Sequence, residues 1–140
     1  MEHSKKMFII IFSCIVLIGV FSAFILWRTF RPSQGLPYER ITMEQAAEYM
    51  DYETGYLLVD VRTQEEYDEG HIPGAVCIPL EELQAEAQKL LPDKEQMIYV
   101  YCRSGRRSRD AAQKLCNMEY TNVTEIGGIL DWNGETEKSK

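Results

Sequence analysis

From residue 42 to residue 132, short apolar runs alternate with helical segments, and this alternation limits the possible folds more than any other feature of the chain. Residues 56–61, Tyr-Leu-Leu-Val-Asp-Val, form a nearly continuous run of strand formers, as expected of a strand covered on both faces. Residues 75–78, 97–101 and 123–126 read as further strands, the second of these following the Pro92 break. Between them lie helices. Thr42 with Gln45, and Thr63 with Glu66, have capping-box spacing, which opens one helix running through Met50 and another over 64–69 that ends at Gly70. Leu83, Ala87, Leu90 and Leu91 make an apolar stripe over 81–91, and Ala111, Ala112, Leu115 and Cys116 make a second over 109–118. Pro73-Gly74 marks a turn, and Gly127-Gly128 leads into a short helical turn around Trp132. Strands alternating with helices in this way predict an α/β fold: a mostly parallel sheet with helices on both faces. In such sheets ligands bind beyond the carboxyl ends of the strands.

One segment in that position carries chemistry. Cys102 follows the strand over 97–101 and precedes the helix over 109–118, within Cys102-Arg103-Ser104-Gly105-Arg106-Arg107-Ser108. The free amides at a helix N-terminus and the positive end of its dipole favour an anion there. With Arg103, Arg106 and Arg107 close in sequence, Cys102 is expected to be acidic and nucleophilic. Gly105 allows a tight backbone curve.

The rest of the composition narrows the partners. The formal net charge is −7. From residue 32 to 140 there are 11 Lys and Arg against 21 Asp and Glu, a net charge of −10, which argues against nucleic acid. Cys14, Cys77, Cys102 and Cys116 form no CxxC pair and only His3 and His71 add imidazole, so no metal site is expected, and no cofactor is called for. Cys14, Cys77 and Cys116 read as small apolar filler, Cys77 in a buried strand.

Residues 7–27 are 21 consecutive uncharged residues, long enough to cross a hydrocarbon core as a helix. A cleaved leader fits less well, because cleavage after Ala23 would put bulky Phe21 where a small residue is needed. The organisation expected is therefore a flank over 1–6, a transmembrane helix over 7–27, a tether over 28–39, a folded domain over 40–133 and a polar tail over 134–140. Lys5 and Lys6 lie on one side of the span, and Arg28, Arg31 and Arg40 on the other, which favours a cytoplasmic C-terminal domain. A free reactive thiol also persists best in a reducing compartment.

Several motifs occur together and in order: Asp60-Val61-Arg62 with Glu66-Tyr67, Gly70-His71-Ile72-Pro73-Gly74-Ala75, Ile78-Pro79-Leu80, the Cys102 loop, and Gly127-Gly128 with Trp132. In this respect the chain resembles single-domain rhodaneses, and the resemblance covers residues 40–133. It implies a three-layer rhodanese-like fold, with a mostly parallel five-stranded sheet, behind a membrane helix. It also implies an enzyme, a thiosulfate-type sulfurtransferase, in which Cys102 takes sulfane sulfur from a small anionic donor as a persulfide and passes it to a thiol or another nucleophile. Cys102 is the catalytic residue in that reading, with Arg103, Ser104, Gly105, Arg106 and Arg107 as substrate-binding candidates and Arg103 favoured among them.

Structural roles compete at several of these positions. Arg107 reads equally as a partner of Asp60, and Arg62 as a local ion pair with Glu66, so that Asp60 and Arg62 support the site. His71 is expected to make a structural hydrogen bond, and Trp132 to anchor the core. Two other functions compete with sulfur transfer. A cysteine phosphatase of related fold needs arginine six places after the cysteine; here that residue is Ser108, and arginine falls one place earlier at Arg107. A module that carries persulfide or senses oxidation without turnover would use the same loop.

Overall fold

The computed structural model describes Gly19, Ser22 and residues 38–139. The expected membrane helix over 7–27 lies outside the described residues, apart from helical Gly19 and Ser22. Among the described residues, no helix is long and apolar enough to cross a membrane. The chain divides into two compact units, Met1–Gln34 and Gly35–Lys140, and the second contains the sheet and the Cys102 loop.

Five strands build that sheet: β1 (Glu39–Arg40), β2 (Leu57–Asp60), β3 (Val76–Cys77), β4 (Ile98–Cys102) and β5 (Val123–Gly128). Their spatial order is β1-β5-β4-β2-β3, and every pairing is parallel. Four helices connect them: α1 (Met43–Tyr52), α2 (Gln64–Glu69), α3 (Leu83–Leu90) and α4 (Arg106–Asn117). β4 is therefore the central strand, as its fully buried sequence requires.

Side chains on a strand alternate between its two faces, and here the alternation sorts the core into two layers. Val59, Ile98, Val100 and Cys102 point to one face, where Leu83 and Ala87 of α3 and Ala111, Ala112 and Leu115 of α4 cover them. Leu58, Tyr99 and Tyr101 point to the other, against Met43 and Ala46 of α1. Burying each large apolar side chain in these layers contributes about 1.5–3 kcal/mol. Both capping boxes form: the Thr42 and Thr63 hydroxyls accept from the amides of Gln45 and Glu66, whose side chains accept the cap amides in return.

Glu137, in the polar tail over 134–140, exchanges backbone hydrogen bonds with His71, each of 2.9 Å. Three expectations need correction. Glu39, assigned to the tether, pairs with Thr124 in β1, because two residues beside a long strand suffice to extend a sheet. Leu90 is 38% exposed, so the buried stripe beside α4 consists of Leu83, Ala87 and Leu91. Cys77 is half-buried rather than buried, since β3 is a two-residue strand at the sheet edge.

Candidate active site

The site begins where β4 ends. Cys102 is the last residue of the central strand, at its carboxyl end and 1% exposed. The register between β4 and β5 shifts after Val100 and sets Cys102 opposite Gly128. This brings the loop after Cys102 hard against β5. A Cβ at Gly128 would stand 2.3 Å from the Arg103 carbonyl oxygen and 2.6 Å from the Ser104 Cα, so only glycine lets the loop lie there. At the other end of the loop Gly105 has φ +90° and caps α4, turning the chain back so that its amide faces the thiol. α4 thus starts at Arg106, three residues earlier than the apolar pattern indicates, because its first turn is polar on every side.

Three residues, Ser104, Gly105 and Ser108, determine the chemistry of the sulfur. The Gly105 N–H donates to Cys102 Sγ at 3.1 Å, and Ser108 Oγ lies 3.6 Å from the same atom. Burial pushes the Cys102 thiol upward, but hydrogen bonding with the Ser108 amide and hydroxyl and with the Ser104 and Gly105 amides outweighs it, and the thiol lies below its ordinary value. The acidity expected from the sequence is therefore present, and of the causes expected for it the backbone amides, joined by a hydroxyl, act on the sulfur more strongly than the guanidinium groups. The other described thiols move the opposite way, with Cys77 pushed up to about 11 and Cys116 also raised, both by burial first.

The arginines of the loop separate by role. Arg103 and Arg106 are exposed, and Arg106 reaches no closer than 3.8 Å to Asp110. Arg107 turns away from solvent and donates twice to Glu66, at 2.7 and 2.8 Å. Neither expected ion pair forms. The carboxylate of Asp60 is filled by Arg62 instead, whose Nε and Nη2 donate at 3.0 and 2.6 Å, while Nη2 also donates to the Gly70 carbonyl at 2.8 Å. Asp60 and Arg62 are both buried, so their charges neutralise each other without solvent. With Arg62 committed to Asp60, Glu66 is left for Arg107, and the pair ties α2 to the start of α4. This arrangement places Arg107 in support of the loop and leaves Arg103 and Arg106 as the cations open to a ligand.

His71 takes the structural role expected of it: Nδ1 lies 2.9 Å from the Tyr67 carbonyl, and its ring stacks on Tyr67 at 3.6 Å. Trp132 packs at the edge of the second core layer and donates through Nε1 to the Glu135 carbonyl at 2.9 Å. Among the described residues, no cluster of His, Cys, Asp or Glu is arranged to hold a metal ion.

Sequence reasoning missed Glu125. It lies in β5, 1% exposed, and its Oε1 accepts the Ser108 hydroxyl at 2.6 Å and the Gly127 amide at 3.0 Å. The signal was present, since a carboxylate inside a strand otherwise made of Val123, Thr124 and Ile126 must be paired.

Residues 42–135 match the family of the Rhodanese-like domain. YrkF of Bacillus subtilis (strain 168) is 39% identical over 98 residues, which are 69% of this chain and 52% of that protein, so the chain spans about half the relative's length. Thiosulfate sulfurtransferase PspE of Escherichia coli (strain K12) is 41% identical over 73 residues, 52% of this chain and 70% of that one. A solved structure described as a rhodanese with anions from E. coli superposes with a TM-score of 0.57 at 37% identity, covering 60% of this chain and 99% of its own. A buried thiol at the end of the central strand of a five-stranded parallel sheet, ringed by amides, agrees with these matches, and the chain belongs to the rhodanese-like domain family.

Proposed function

We propose that this protein is a sulfurtransferase that carries sulfane sulfur on Cys102. The observation that bears most weight is the position of Cys102 Sγ, buried and facing the Gly105 amide at 3.1 Å with the Ser108 hydroxyl beside it. These groups lower the thiol and would equally stabilise a persulfide anion in its place. A preorganised donor of this kind contributes about 3 kcal/mol toward a developing anion.

Two displacements at sulfur make up the reaction. The Cys102 thiolate bonds to the outer sulfur of a donor such as thiosulfate, and the donor's S–S bond breaks with its electron pair leaving on sulfite. A thiolate acceptor then bonds to the outer sulfur of the persulfide, and the Cys102 thiolate departs. The exposed Arg103 and Arg106 suit a dianionic donor. Support also comes from the name of the related PspE, a thiosulfate sulfurtransferase. The loop length argues against phosphoryl transfer, because Arg107 is paired with Glu66 and Ser108 stands where a phosphatase needs its arginine.

The 21 uncharged residues over 7–27 support a membrane anchor that holds the domain at the cytoplasmic surface. Reporter fusions after Lys140 test this, and a reporter active only outside the cytoplasm would overturn it. For the chemistry, the full-length chain is incubated with thiosulfate and each cysteine peptide is read by mass spectrometry. One added sulfur on Cys102, with sulfur transfer to cyanide or a thiol lost in Cys102→Ser, is the expected outcome. Phosphate release from an aryl phosphate with no sulfur on Cys102 would refute the assignment.

A further inference from the structure

The Cys102 thiol must lose a proton before it can attack, and its geometry indicates where that proton goes. Ser108 has one hydroxyl hydrogen and three neighbours: Glu125 Oε1 at 2.6 Å, the Gly127 carbonyl at 3.3 Å and Cys102 Sγ at 3.6 Å. The short contact to a carboxylate takes that hydrogen. Ser108 Oγ then has lone pairs free to accept the S–H of Cys102. Sulfur, hydroxyl and carboxylate form one continuous line from the thiol to a buried acid.

We propose that Glu125, acting through Ser108, is the positioning residue that accepts the Cys102 proton and holds it while the thiolate reacts. The proposal rests on the reading of Cys102 as the sulfur-carrying nucleophile. In the transfer, the Cys102 S–H bond breaks and its proton bonds to Ser108 Oγ. The Ser108 O–H bond breaks in turn and its proton bonds to Glu125 Oε1. Thiol and carboxylate become thiolate and carboxylic acid, the pair keeps a charge of −1, and no electrons change hands. Ser108 now donates to the thiolate, which it could not do while its hydrogen pointed to Glu125.

The surroundings of Glu125 fit this use. A carboxylate 1% exposed inside a sheet is costly unless something requires it, and it adds little to folding that an apolar residue would not. Arg40 of β1 donates to Oε2 at 3.0 Å and leaves Oε1 to face Ser108. Glu125 also lines an open cavity of about 450 Å³ beside Ser104 and Gly105 of the loop, where the other charged groups are Arg40 of β1, Arg109 of α4, Glu44 of α1 and Asp131. A proton held on Glu125 has a route to water through that cavity while substrate fills the loop.

The test follows the alkylation of Cys102 by iodoacetamide from pH 5 to 10. It uses the full-length chain, read peptide by peptide, in wild type, Glu125→Gln, Ser108→Ala and the double variant. Coupled groups sharing one proton titrate in two steps, so the wild-type rate should rise to an intermediate plateau and rise again. Glu125→Gln keeps the shape and an Oε1 that accepts from Ser108 and Gly127, but it gives up the contact with Arg40 and cannot take up a proton. Its profile should collapse to a single step, with a rate at pH 6.5 lowered roughly tenfold or more. Ser108→Ala leaves Glu125 and Arg40 in place, should give the same single step, and serves as the test if Glu125→Gln fails to fold. The double variant should be no slower than the slower single variant. Superimposable profiles for wild type and Glu125→Gln, a faster Glu125→Gln at low pH, or losses that multiply in the double variant would each overturn the proposal. Alkylation needs neither donor nor acceptor, so failure to form a persulfide with thiosulfate would refute the sulfurtransferase reading and leave this measurement intact.

Discussion

Glu66→Gln should cost this domain about 2 kcal/mol at pH 7, and the loss should fade in acid. The Arg107 hydrogen bonds are the first cause that holds the Glu66 carboxyl at about 2, against its ordinary 4.5, and the Thr63 amide adds to them. A shift of that size corresponds to roughly 3.4 kcal/mol at most, taking about 1.36 kcal/mol per unit. Solvent reduces it, because the two side chains are 28% and 20% exposed, which brings the figure to about 2 kcal/mol. Glutamine keeps one oxygen for the Thr63 amide and Arg107 Nη1, so the cap of α2 survives, while the charge and the acceptor for Arg107 Nη2 are lost. The folded-state value is depressed, so the stabilisation is fully present above about 4.5 and disappears as pH falls through about 2. Urea unfolding of wild type and variant at pH 7, 4 and 3 measures the gap directly. In thermal melts at pH 7 it should appear as roughly 8–16 °C for a domain of this size. A gap below about 0.5 kcal/mol at pH 7, or one unchanged at pH 3, would show that the Arg107 pair does not carry this energy.

The remaining predictions concern the loop and its supports. Gly128→Ala places a methyl 2.3 Å from the Arg103 carbonyl oxygen, so the loop must move; sulfur transfer should fall about 100-fold while the fold loses only about 1–3 kcal/mol. Steady-state rates beside urea midpoints separate the two effects. Asp60→Asn leaves the buried Arg62 without its counter-charge and should destabilise by about 3–5 kcal/mol, measured by urea unfolding at pH 7. At pH 7 iodoacetamide should label Cys102 at least about tenfold faster than Cys77, whose thiol is pushed up to about 11, as read by peptide mass spectrometry of the intact chain.

What the sequence conveyed depended on how locally each feature is encoded. Both capping boxes were legible because cap and partner lie three residues apart, and four of the five strands because of their apolar runs, whereas β1, the charged pair Glu39–Arg40, carried no such signal. The position of Cys102 followed from the order of strand and helix alone. Ion pairing did not follow, since proximity in sequence is a poor guide to which of several charges meet. Arg62 and Glu66 are one helical turn apart, yet each finds its partner elsewhere: Arg62 on Asp60, two residues before it, and Glu66 on Arg107, 41 residues after it. Glu125 escaped notice for the same reason, because its contact with Ser108 exists only once β5 lies beside β4.

These pairings change what the basic loop means. Four arginines within seven residues, Arg103 to Arg109, look in sequence like one concentrated anion site. Folding divides them: Arg107 is neutralised by Glu66, Arg106 faces Asp110, Arg109 lines the cavity beside the loop, and Arg103 lies open. The thiol is lowered by donors without net charge, the Gly105 and Ser104 amides and Ser108. For the sulfur transfer proposed above, uncharged donors suit a group whose charge would appear, move outward by one sulfur atom and return, because fixed amides favour an anion without holding it as a full ion pair would. The cations that remain exposed can then serve the donor's oxygens. A tightly bound guanidinium on the sulfur would stabilise the persulfide at the expense of its transfer.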